Sequence, residues 1–290
     1  MQDAHATPSS ERPGFGAIVV ATDLSEGSDE LLRAAGQVAA RSASPLHVVH
    51  AVDMVPGAGG TYDEEVRQAE RLLDERIRAV VPAGVEVHAH VESSPPDHAI
   101  IEWVDRANAG LIVLGPHVRR PGPAGLLGST AERVLGDARV PCLVVRGPVV
   151  VPASHVVAAV EPAHTVAPVL DAAIRWALLF ADAGEGGGVP TLSALYVTSD
   201  RSGEPPPVLD EALRLALARA GAGNRLTAQL ALRGTDVVQS ILLFAEVEVS
   251  DLLVLSTRNR GVVGRALLGS VSAEVTRRAP CNVLLIPHVE

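Results

Sequence analysis

The sequence predicts an α/β protein made of two tandem copies of one doubly wound, Rossmann-like domain, each with a five-stranded parallel sheet. Three observations carry this. At 290 residues the chain exceeds the usual domain size of roughly 100 to 200 residues. Short β-branched runs alternate with segments of helical period, the pattern of strand-helix-strand units. The chain also repeats itself: Leu126-Leu127-Gly128-Ser129 returns as Leu267-Leu268-Gly269-Ser270, and Pro141-Cys142 returns as Pro280-Cys281.

In the first half, strands are expected over Ala17 to Thr22, Leu46 to Val52, Val85 to Val91, Leu111 to Gly115 and Leu143 to Arg146. Between the first two, Leu31, Leu32, Ala35, Val38 and Ala39 recur at three-and-four spacing and paint one helix face apolar, with Ser28 as the N-cap. After Pro95-Pro96, Asp97 opens a helix whose inner face is Ile100, Ile101 and Val104. In the second half the strands fall near Val156 to Val160, Thr191 to Val197, Leu226 to Leu232, Leu252 to Leu255 and Val283 to Ile286. The expected domains are 14–147 and 153–290, joined by the short, stiff stretch Gly147 to Pro152.

Composition narrows the functions. Hydrophobic residues are 47% of the chain but aromatics only 2%, so aliphatic side chains must fill the core, as suits buried parallel strands. A formal net charge of -10 works against attraction to phosphate backbones and excludes nucleic acid as an expected partner. No apolar run approaches the roughly 20 residues that cross a bilayer, so no membrane association is expected. Met1 to Pro13 lacks the basic start and apolar centre of a signal peptide, and the expected location is the cytoplasm. Cys142 and Cys281 stand beside apolar runs, where buried thiols fit and no disulfide is required.

In an open parallel sheet, ligands bind beyond the carboxyl ends of the strands where the strand order reverses. Here that points to Thr22, Asp23 and Gly115, and to Gly128-Ser129-Thr130 opening the helix that follows. A helix N-terminus offers unpaired amides and the positive end of a dipole, and glycine lets the chain approach a phosphate closely. Ser129 and Thr130 add hydroxyls, so the segment reads as an anion cradle facing a carboxylate that accepts from a ribose or a base. The same residues also make an ordinary turn and N-cap. His88 and His90 flank Ala89 on a strand and share one face; with no third ligand apparent they are read as structural. Trp103 and Trp176, in helical segments of apolar spacing, are read as packing residues.

The segment from Gly115 through Val118, nine further residues, and Gly128-Ser129 resembles the Gly-x2-Gly-x9-Gly-Ser/Thr signature of the universal stress protein family. Ala21-Thr22-Asp23 is similar to that family's first acidic motif, and His47 to Val52 to its second strand, which places Ala51 at the site. Ser256 to Asn259, nine residues, then Gly269-Ser270 keep the spacing in the second half, with Val197 at the matching strand. The resemblance implies an adenine nucleotide alpha hydrolase-like fold, a pseudo-dimer between the halves and a bound ATP, with Mg2+ as its companion. It further implies that the halves pair through their last strands. The pattern is broken at Val118 in the first half, and at Glu161, Ser256 and Asn259 in the second.

One adenine nucleotide is therefore expected in the first half, with a degenerate second half as its pairing partner, in a non-enzymatic stress-response regulator that also meets a protein partner. The alternative is a tandem protein without nucleotide that acts as an interaction module. Arg119 and Arg120, with Arg258, Arg260 and Arg265, can neutralise phosphates if they turn inward, and their number leaves open which half is occupied. Phosphoryl-transfer catalysis is not expected: residues 115–130 hold neither Asp nor Glu, and no Walker pattern occurs.

Overall fold

The computed structural model describes residues 15–52, 62–115, 127–162, 166–181, 188–198, 204–234, 236–257 and 269–287. The first half runs β1 (Ala17–Ala21), α1 (Asp29–Ser42), β2 (Leu46–Ala51), α2 (Tyr62–Val80), β3 (Val87–Glu92), α3 (Pro96–Arg106), β4 (Ala109–Leu114), α4 (Ser129–Asp137) and β5 (Cys142–Val144). The second half runs β6 (His155–Val160), α5 (Val166–Phe180), β7 (Thr191–Thr198), α6 (Pro207–Arg219), β8 (Thr227–Gly234), α7 (Val237–Val247), β9 (Leu252–Thr257), α8 (Ser270–Arg278) and β10 (Asn282–Pro287).

The strands form one sheet in the order β3-β2-β1-β4-β5-β10-β9-β6-β7-β8. Neighbours are parallel within each half, and the two halves meet where β10 pairs antiparallel with β5, Val283 opposite Val144 and Leu285 opposite Cys142. The expected edges do pair, so two five-stranded sheets merge into one of ten strands. From β1 the chain winds outward to β2 and β3, then returns to lay β4 on the other side of β1. That reversal opens a crevice between the carboxyl ends of β1 and β4, and a second opens between β6 and β9.

Each sheet face carries a single apolar core that runs through both halves. One gathers Leu32, Val38 and Leu73 with Leu170, Ile174 and Phe180, beneath α1, α2, α5 and α6. The other gathers Ile100, Val104 and Val134 with Ile241, Phe244 and Val275, beneath α3, α4, α7 and α8. Two continuous cores shared by two copies bind the halves together more strongly than the six-residue linker does.

Boundaries differ from expectation where a backbone amide is claimed by something other than the ladder. The Val85 amide donates to Pro82 O at 3.4 Å, and β3 starts at Val87. A 3-10 turn at Gly223–Arg225 delays β8 to Thr227. The Arg146 amide donates to Asn282 Oδ1 at 2.8 Å, so β5 stops at Val144. Helix α3 begins at Pro96, one residue before the expected opening at Asp97, which lies in its first turn. Trp176 is buried and stacks on Phe180 at 4.5 Å, as a packing residue should, whereas Trp103 is only half-buried and stacks on His90. Cys142 is buried, Cys281 partly exposed, and both are free thiols.

Candidate functional site

The chain leaves β1 through a tight, internally bonded turn. Thr22 is buried; its amide donates to Val49 O at 3.0 Å, and its carbonyl accepts from His50 Nδ1 at 2.9 Å, so β2 grips the end of β1 from both sides. Its hydroxyl oxygen accepts from the Leu24 amide at 3.1 Å, and Leu24 takes the left-handed conformation at φ 60°. The turn thereby sets Asp23 just beyond the carboxyl end of β1, where the crevice opens.

Asp23 Oδ1 is held by a ring of donors: the Ser25 amide at 3.0 Å, the Ser25 hydroxyl at 2.7 Å and the Ser28 hydroxyl. Ser28 does occupy the N-cap position of α1, but it makes no side-chain cap bond, because Asp23 takes its hydroxyl. The 3-10 turn Glu26–Ser28 sets that geometry. Residue types alone pointed to Asp23 as the ligand-facing group but missed Ser25, Ser28 and His50 as the residues that position it. The spacing Asp23-Leu24-Ser25 carried the signal, since an aspartate commonly accepts from the amide two residues on.

Gly128 caps α4 with extended geometry (φ -68°, ψ 151°) and contributes no side-chain bond. Helix geometry leaves the amides of the first turn without intrahelical acceptors, and here the cap residue has no side chain to offer them. Ser129 is exposed and Thr130 half-buried at this positive helix end. Gly115 follows directly on β4 and lies outside the ladder, while Ala51 closes β2 beside the Thr22 turn. Thr22, Asp23, Ala51, Gly115 and the start of α4 thus converge at one end of the sheet. Val118 lies outside the described residues, as do Arg119 and Arg120.

The second half repeats the helix start: Gly269 caps α8 at φ -58° and ψ 147°, and Ser270 is its first residue. The strand end differs. Ser256, the counterpart of Gly115, stays inside β9, which runs on to Thr257, and pairs with Ile286 of the longer β10. Thr257 then donates its hydroxyl to Ile286 O at 3.5 Å. The ladder therefore covers the ground that Gly115 vacates in the first half. Glu161 follows β6, half-exposed, and Val197 lies within β7. Asn259 and the loop arginines Arg258, Arg260 and Arg265 fall outside the described residues.

No group of three or more His, Cys, Asp or Glu side chains among the described residues can hold a metal ion, and no helix among them is long and apolar enough to cross a membrane.

The sequence profile of the universal stress protein family matches residues 14–146 and 167–287. A universal stress protein of Methanocaldococcus jannaschii is 30% identical over 139 residues, covering 45% of this chain and 82% of its own. The universal stress protein A homolog 1 of Coxiella burnetii is 33% identical over 131 residues, 41% of this chain and 87% of its own. Each covers less than half of this chain. A crystal structure of a universal stress protein from Archaeoglobus fulgidus matches the whole fold with a TM-score of 0.70, covering 93% of this chain and 98% of its own at 23% identity. With both halves matched by that profile, the chain belongs to the universal stress protein family.

Proposed function

We propose that the first half binds one adenine nucleotide, ATP accompanied by Mg2+, in the crevice bounded by Thr22, Asp23, Ala51 and Gly115 and by the start of α4 at Gly128, Ser129 and Thr130. Val118 lies in the segment that completes this site. Asp23 accepts from the sugar or base, and the amides and hydroxyls at the head of α4 receive the phosphates. The observation that carries this reading is the difference between the halves: β4 releases the chain at Gly115 beside Asp23, whereas β9 keeps Ser256 paired. The second half, with Glu161, Val197, Ser256, Asn259, Gly269 and Ser270 at the matching places, serves as a pairing partner.

Binding rather than turnover follows from the donor chemistry. Phosphoryl transfer needs a positioned base and carboxylate-held metal near the phosphates, and residues 115–130 supply no carboxylate. A bound Mg2+ would be carried by the phosphates and water. The protein is then a cytoplasmic stress-response regulator whose partner choice changes with occupancy.

Isothermal titration of the full chain with ATP tests the assignment. The expected result is one nucleotide per chain, weakened about tenfold or more by Asp23→Ala and unchanged by Glu161→Ala. Absence of binding by the wild type, or sensitivity to Glu161→Ala alone, overturns it.

A second reading, a nucleotide-free interaction module, is favoured by one observation: Asp23 Oδ1 is already engaged by Ser25 and Ser28. Val118→Gly separates the two. ATP affinity that emerges only in this variant supports the interaction module, and affinity already present in the wild type supports the nucleotide site.

A further inference from the structure

A stack of four rings closes the outer edge of the first half. The parallel register places His47 of β2 beside His88 of β3 and Val49 beside His90, so three imidazoles share the sheet face that α3 covers. His47 stacks on His88 at 4.7 Å and meets His90 nearly coplanar with ring centres 5.2 Å apart, and His90 lies face to face with Trp103 of α3 at 3.4 Å. His47 Nδ1 and His90 Nε2 face each other at 3.0 Å.

That contact has a definite proton count. A nitrogen-to-nitrogen hydrogen bond needs one N–H and one lone pair, so the pair holds a single proton between the two facing atoms. A second proton would set two N–H groups and two positive charges against each other at hydrogen-bond distance. The described residues hold no group of three or more His, Cys, Asp or Glu that could take a metal ion in place of that proton.

We propose that the His88–His47–His90–Trp103 stack is a proton-operated latch: with one proton between His47 and His90 it clamps α3 onto β2 and β3, and a second proton releases that edge.

The charged surroundings fit such a role. Just ahead of β3, Glu86 pairs with His88 Nε2 at 3.0 Å, and at its end Glu92 accepts from Trp103 Nε1 at 2.8 Å. From α3, the Arg106 guanidinium lies 5.3 Å over Trp103, reaches Glu92 at 3.7 Å and pairs with Glu102. From β1 the neighbour of His47 is the apolar Val19. Burial first, then the charges of His47 and His88, press His90 down to about 4 against the opposing pull of Glu92. Burial and His88 lower His47 likewise, with Glu86 opposing. An unfolded chain takes up these protons near pH 6.5, while the folded one refuses the His90 proton until about pH 4. The unfolded state thus binds more protons across that interval, and the stack's contribution to stability is withdrawn as pH falls through it.

The second half carries no such device at the matching positions. Counted from the strand registers, His47, His88, His90 and Trp103 correspond to Ser193, Gln229, Ala231 and Phe244. There Gln229 donates to Ser193 Oγ at 2.9 Å, and His155 pairs with Ser193 at 2.8 Å rather than with a second imidazole. Among these matching positions the paired imidazoles therefore belong to one end of the sheet alone.

The test uses full-length Trp176→Phe protein, in which Trp103 is the one remaining tryptophan. Its fluorescence is followed from about pH 8 to about pH 3.5, with far-UV circular dichroism recorded in parallel. The expected result is a reversible change in Trp103 emission, centred below the ordinary histidine range, before helical signal is lost, and absent in His90→Gln and in His47→Gln. If Trp176→Phe does not fold, the difference between wild type and Trp103→Phe gives the same reading. An emission change that survives both glutamine variants, or Trp103 emission flat down to the lower limit, overturns the proposal.

Discussion

Asn282, the first residue of β10, uses one side-chain oxygen to accept the Arg146 amide at 2.8 Å and the Gly147 amide at 3.2 Å, while its Nδ2 donates to Pro148 O at 3.3 Å. One buried side chain thus fastens the end of the first half and the start of the linker to the last strand of the second. Asn282→Ala leaves two amides without their acceptor. We expect a loss of roughly 2–3 kcal/mol in urea unfolding, since an orphaned buried donor costs about 1–3 kcal/mol. The transition should stay single, because the shared cores persist.

On the opposite face Arg41 of α1 reaches across to the end of α5, donating to Leu179 O at 3.1 Å and Ala181 O at 2.6 Å. A cation among the last carbonyls of a helix is favoured by the dipole. Arg41→Met keeps the alkyl stem and removes the donors. The expected loss is about 1 kcal/mol, read as a lower thermal midpoint, with Arg41→Lys recovering part of it.

Gly110 tolerates no side chain: a Cβ there would lie 1.8 Å from the Phe15 carbonyl oxygen. The close approach lets Gly16 bridge to Ala109 at the entry to β1. Gly110→Ala must move backbone rather than a flexible side-chain tip, so a destabilisation of about 3 kcal/mol is expected, at the upper end of overpacking effects. Thermal unfolding of the purified variant checks it.

In the proposed nucleotide site, Ser28 acts through Asp23, whose carboxylate accepts its hydroxyl. Ser28→Ala should weaken ATP binding several-fold by titration calorimetry, as a hydroxyl that restrains the carboxylate is lost. Ser28→Thr, which keeps the hydroxyl, should recover most of the affinity.

The two thiols should be inert. Burial pushes Cys142 up to about 12, and burial likewise carries Cys281 to about 12. The thiolate is the reactive form, so neither should react with a disulfide reagent at neutral pH in the native protein. Both should react on denaturation; rapid labelling of the native protein would contradict this.

Much of the architecture can be read from the chain because each signal is local. The period of Leu31 to Ala39, the β-branched runs and the recurring Leu-Leu-Gly-Ser segments each sit within a short window. The crevice was legible for the same reason, since Thr22, Asp23, Gly115 and Gly128 stand at strand ends and helix starts. What stayed hidden depends on register between distant segments. His47 joins His90 across 43 positions, and Arg41 meets Leu179 across 138. The pair His88 and His90 was visible as sharing a face, but only the β2–β3 alignment supplies the third ring. The engagement of Asp23 by Ser28 was hidden because Ser28 reads equally well as a simple helix cap.

The antiparallel seam between β5 and β10 has an evolutionary corollary. A single-domain relative must find a second molecule to cover the same strand, so its pairing weakens on dilution, and both copies share every mutation. Here the mate is carried on the same polypeptide at an effective concentration that dilution cannot lower. The trailing copy can therefore depart from the family's residue pattern, as at Glu161 and Ser256, while still lending the leading copy a border strand.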